Sequence, residues 1–82
     1  LISSDQIRGA RALLRLSQAD LAEAADVSLE TIKRLELMDG ELKTRLETLT
    51  KIKAALETAG VEFIPENGGG AGVRLAKRGK KK

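Results

Sequence analysis

A mainly α-helical domain, four helices followed by a C-terminal β-hairpin, is the fold this sequence predicts, on three observations. Apolar residues recur at helical spacing from residue 4 to 59 with no proline among them. The period then changes from 3.6 to 2, with Val61 and Phe63 alternating about Glu62, and Val73 and Leu75 about Arg74. Between these two runs, residues 66–72 contain four glycines and an asparagine, the composition of a loop.

Ser3 or Ser4 is the N-cap expected for the first helix, with Asp5 in its first turn and Ile7, Ala10, Leu13 and Leu14 on one face. Gly9 weakens this helix slightly. Ser17 and Asp20 form a capping-box pattern with the shorter acid, opening a short second helix whose buried side is Leu21, Ala24 and Ala25. After a turn at Ala25-Asp26-Val27, Ser28 caps a third helix running through Leu37, with Leu29, Ile32, Leu35 and the stem of Glu36 turned inward. Met38, Asp39 and Gly40 end it, because glycine is free to take positive φ. Thr44 and Glu47 match a second capping box. Leu46, Leu49, Ile52, Leu56 and Ala59 then form a stripe, so a fourth helix is expected over 45–59, stopped at Gly60. Pro65 belongs at a strand end or an unpaired edge. The organisation is therefore a helical domain at 1–60, a hairpin at 61–76 and a basic tail at 77–82 that has nothing to bury and is expected to be disordered.

Composition narrows the function classes. With 82 residues, 33% charged and 41% hydrophobic, the chain is one small globular domain. A domain of this size buries only about 60% of the surface of its unfolded chain, so an oligomer would add useful core. There is no cysteine or histidine, which removes disulfides, thiol chemistry, imidazole bases and the usual zinc ligand sets. No enzyme and no cofactor are expected. No apolar run reaches the roughly 20 residues of a membrane span and no signal-peptide pattern is present, so a cytoplasmic location is expected. The net charge of +3 is lopsided: residues 74–82 hold six of the fifteen basic residues, leaving nine basic against twelve acidic residues before them. The high pI speaks for the tail alone.

Two short helices joined by a turn, with a small residue inside the first and an apolar residue after the turn, are what a helix-turn-helix needs to cross its helices steeply. Counting from Gln18, Leu21, Ala22, Ala25, Val27, Ile32 and Leu35 occupy the positions that packing requires. With Ser17-Gln18, Leu21-Ala22, Val27-Ser28, Ile32 and Leu35-Glu36, residues 4–60 resemble the phage-repressor-like, XRE-type family of helix-turn-helix DNA-binding domains. Two departures are visible. Asp26 stands where the family favours glycine, which strains the turn, and Leu46 stands where a proline is common.

The resemblance implies a repressor-like helix-turn-helix fold, a double-stranded DNA partner and a third helix lying in the major groove. Ser28, Glu30, Thr31, Lys33 and Arg34 are then its outward set. Arg34 suits a guanine, Glu30 a cytosine amine and Lys33 a phosphate, while Thr31 suits either base or backbone. Gln18 would meet a phosphate from the start of the second helix, and Lys43, Thr44 and Arg45 lie in a loop that approaches another. A solvated face held by Glu30–Arg34 pairing is the competing reading.

A hairpin is marginal alone, so Val61, Phe63, Ile64, Val73 and Leu75 require a partner surface: either the chain's own helices, or a second subunit. Pairing in a homodimer is the favoured expectation, since two-fold symmetry doubles a short recognition helix and joins an open strand edge. The function expected is a sequence-specific transcription regulator. Its alternatives are a protein-binding module, such as the antitoxin of a toxin–antitoxin pair, and a non-specific binder driven by the tail.

Overall fold

The computed structural model describes residues 2–76, and the tail expected to be disordered lies outside them. In order come α1 (Ser4–Leu14), α2 (Gln18–Ala25), α3 (Leu29–Glu36), α4 (Leu46–Ala59), β1 (Val61–Ile64) and β2 (Gly72–Leu75). The four helices and the antiparallel hairpin agree with the expected fold, and the strands pair Val61 with Leu75 and Phe63 with Val73.

Side-chain caps decide three of the four helix starts. Ser3, not Ser4, begins α1: its hydroxyl accepts from the Gln6 amide at 3.2 Å, and the Gln6 side chain accepts from the Ser3 amide at 2.9 Å. At α2, Ser17 and Asp20 exchange the equivalent bonds at 3.0 and 2.9 Å, and hydrogen bonding of the Asp20 carboxylate to Ser17, chiefly to its backbone amide, holds that carboxyl below its ordinary range. Ser28 caps α3 by accepting from the Thr31 amide at 3.1 Å. The second capping box does not form. Arg45 is the N-cap of α4 and makes no side-chain cap bond, because the helix begins one residue later than Thr44 would require.

Ile7, Leu21, Ile32, Leu35, Ile52 and Leu56 are fully buried between the helices. Each contributes about 1.5–3 kcal/mol by leaving water. The inner stripes are narrower than the sequence suggested. Leu13 and Leu46 are 41% and 64% exposed. Each lies six residues from a core isoleucine, about 120° around the helix. Ala24 is exposed while Ala22 takes its place in the core, Ala59 is exposed at the end of α4, and Leu37 lies past the last residue of α3 as its C-cap.

The hairpin folds over its own helices. Val61 is 2% exposed and belongs to the core, with Phe63 and Val73 packed against it. Gly9 makes that approach possible: a Cβ there would stand 3.2 Å from Val73 Cγ2. The helix propensity lost at Gly9 thus accompanies close packing of α1 on β2. Gln6 ties the far end, donating from Nε2 to the Gly72 carbonyl at 3.0 Å.

The α2–α3 turn carries the strain expected of it. Asp26 sits in the left-handed region, at φ 59° and ψ 47°. Replacing Asp26 with glycine is expected to stabilise the fold by about 0.5–1 kcal/mol, because the left-handed penalty of a Cβ disappears. Little is lost in exchange, since the Asp26–Lys51 pair is long at 3.9 Å and the Asp26 side chain is 96% exposed. A thermal melt should rise by about 2–8 °C; an unchanged or lower midpoint would show that the aspartate side chain has a stabilising role at this turn.

Candidate nucleic-acid interface

The buried positions of α2 and α3 fix which residues can face outward. Leu21, Ala22 and Ala25 hold α2, and Ile32, Leu35 and Glu36 hold α3. The remaining face of α3 presents Glu30, Lys33 and Arg34 to solvent. Among the described residues no hydrogen bond or ion pair engages the side chain of any of the three, and the Glu30–Arg34 pairing weighed from sequence does not form. Two cations and one carboxylate therefore stand on one helix face with their hydrogen-bonding capacity unspent.

The fold brings that face to the start of α4. Val27, Ser28, Thr31, Arg34, Thr44, Arg45 and Thr48 line one open polar cleft of about 320 Å³. Five of the nine expected interface residues meet there, although the sequence placed them in two separate segments. Thr48 is an addition to the expected set. It follows Thr44 by one helical turn, a spacing that offered no signal beside the stronger apolar stripe. Ser28 and Thr31 are partly committed, with their hydroxyls 2.8 Å apart. Lys43 is exposed, and its backbone amide donates to Met38 Sδ at 3.4 Å.

Behind this surface lies a buried ionic cluster whose connections the sequence did not reveal. The Glu36 carboxylate receives Arg11 Nε at 2.7 Å, Arg11 Nη2 at 2.9 Å and Gln18 Nε2 at 3.0 Å. Arg11 also donates to the Leu16 carbonyl at 2.9 Å, while Arg8 and the Ser4 hydroxyl donate to the Glu36 carbonyl. The cluster joins α1 to both rods of the helix-turn-helix. Burial opposes ionisation of Glu36, but the Arg11 and Gln18 hydrogen bonds and the nearby positive charge of Arg11 and Arg8 outweigh it and keep the carboxyl below its ordinary range. The same hydrogen bonding raises Arg11, against its own burial.

Gln18, expected from the resemblance to meet a phosphate, thus has an internal partner in Glu36. A signal was available: Glu36 falls on the apolar face of α3, next to Leu35 and four residues after Ile32, and a charge in that position requires a cation. The five hairpin residues expected to dimerise are divided. Val61 is buried, Phe63 and Val73 pack on the core, Ile64 is half-buried and Leu75 is 54% exposed.

Among the described residues no group of three or more His, Cys, Asp or Glu side chains could hold a metal ion, and no helix is long and apolar enough to cross a membrane. A family model described as helix-turn-helix matches residues 7–63. No curated protein gives a significant match.

Proposed function

The chain belongs to the XRE-type helix-turn-helix family of DNA-binding domains, and on that premise we propose that it is a sequence-specific transcription regulator that binds duplex DNA as a homodimer. The observation that carries this reading is the outward face of α3, where Glu30, Lys33 and Arg34 are exposed without a partner among the described residues. Charged side chains that serve only to solvate a helix gain by pairing along it; these are left available to base edges and phosphates. The cleft beside them supplies hydroxyls and a second arginine for backbone contacts that fix register.

Two features support a second copy. Leu13 and Leu75 are exposed on α1 and β2, elements that pack together. The alternation of an antiparallel ladder also turns the backbone groups of Val73 and Leu75 away from β1, leaving an open edge among the described residues.

Selection of bound sequences from a random duplex pool tests the reading. The expected product is a motif with dyad symmetry, its half-sites about one helical turn, roughly 34–36 Å, apart. Recovery of unselected sequence would overturn it, and a motif without a dyad would overturn the homodimer.

A further inference from the structure

Of the polar groups buried behind the recognition surface, one reaches toward it. Glu36 is 5% exposed and lies on the inner side of α3, so it cannot contact DNA. Its Oε1 nevertheless accepts a 3.0 Å hydrogen bond from Nε2 of Gln18, the half-buried first residue of α2. We propose that Glu36 is a positioning residue for DNA binding: it fixes the Gln18 side-chain amide so that its remaining N–H is held ready for a backbone phosphate. This assignment rests on the DNA-binding reading above.

The chemistry of the two groups sets the orientation. An ionised carboxylate can only accept, so the glutamine must turn its NH2 group, not its oxygen, toward Glu36. Glu36 is itself held in place by the two bonds from Arg11, at 2.7 and 2.9 Å, and its own side chain has no freedom to follow Gln18 elsewhere. The amide is planar. One bond at Nε2 therefore restricts the whole group, and the second Nε2 hydrogen has no partner among the described residues. A phosphate is also acceptor-only, so the same NH2 group can bridge the buried carboxylate and the DNA backbone. A free glutamine would have to be ordered on binding, and could present its oxygen, which a phosphate repels. The anchored one needs no such ordering.

The assignment predicts coupling, which a merely structural Glu36 would lack. Gln18→Ala should weaken binding about tenfold to both the selected duplex and an unrelated one, as removal of a phosphate-binding group does. Glu36→Gln should do the same, because Arg11 then competes for the single remaining oxygen. The double variant should bind no more weakly than Gln18→Ala alone. Losses that multiply in the double variant would overturn the assignment while leaving DNA binding intact; a wild-type chain that selects no sequence would overturn both.

A second measurement uses the unaltered protein, should Glu36→Gln fail to fold. The Gln18 side-chain NH2 protons, observed by NMR, should be resolved from those of Gln6 before DNA is added. They should shift when the selected duplex binds. Resonances at free-amide positions, or unmoved by the duplex, would overturn the proposal.

Discussion

Arg11→Ala is expected to cost about 3 kcal/mol of folding stability at neutral pH, the largest loss foreseen for any single surface-reaching side chain in this protein. The group left behind sets that magnitude. Glu36 is 4% exposed at its side chain, and its two bonds from Arg11 are the main compensation for that burial. Remove the guanidinium and a carboxylate remains out of water with Gln18 as its only side-chain donor among the described residues. Arg11 is itself 21% exposed at its side chain, which places the loss toward the lower end of the range for buried pairs. In a domain of this length a thermal midpoint lower by about 12–24 °C should follow.

The same pair fixes the sign of a pH effect. In the native protein the Glu36 carboxyl is held below its unfolded value, so the stability it contributes is complete above about pH 4.3 and is lost as pH falls through the lower folded value. In Arg11→Ala burial is no longer outweighed, and the carboxyl should rise. Protonation then relieves the variant while it harms the native chain. The stability gap between the two, read from urea unfolding, should narrow as pH drops from 7 to 4. A gap that stays constant would mean that the arginine stabilises by packing its stem and not by neutralising Glu36.

What could be read from the sequence and what could not divide along a physical line. Ser17 and Ser28 were legible as caps because the capping bond spans three residues and is written locally. Ile32, Leu35, Ile52 and Leu56 were legible because burial imposes a period. Arg11 and Glu36 are separated by 25 residues, and no local rule links them. The reason for Gly9 was likewise hidden, since it lies in the Val73 side chain on a strand at the other end of the chain. Thr44 misled for a related reason: the local pattern permitted a cap, but the loop delivers Arg45 to that position and places Thr44 along the cleft instead.

The candidate interface shows the same division. The outward residues of α3 follow from helical periodicity once the inner ones are known, so Glu30, Lys33 and Arg34 could be named in advance. That Thr44 and Arg45 would share a cleft with Ser28, Thr31 and Arg34 depends on how α4 packs against the helix-turn-helix. Periodicity carries no information about that packing.

Arg34→Ala should then weaken binding to the selected duplex by about 1–3 kcal/mol, roughly fivefold to 150-fold, and relax preference at one base pair in each half-site. Stability should change by no more than about 0.5 kcal/mol, because Arg34 is exposed and has no partner within the described residues. Deletion of residues 77–82, which removes Lys77, Arg78, Lys80, Lys81 and Lys82, provides the contrast. It should weaken binding to selected and unrelated duplexes alike, and reduce the salt dependence by about 0.9 in slope for each phosphate that the tail had neutralised. The two variants separate base readout by α3 from backbone attraction by the tail, since base readout survives salt that removes backbone attraction. If the tail deletion abolishes discrimination while Arg34→Ala leaves it untouched, recognition belongs to the tail and α3 is not the reading element.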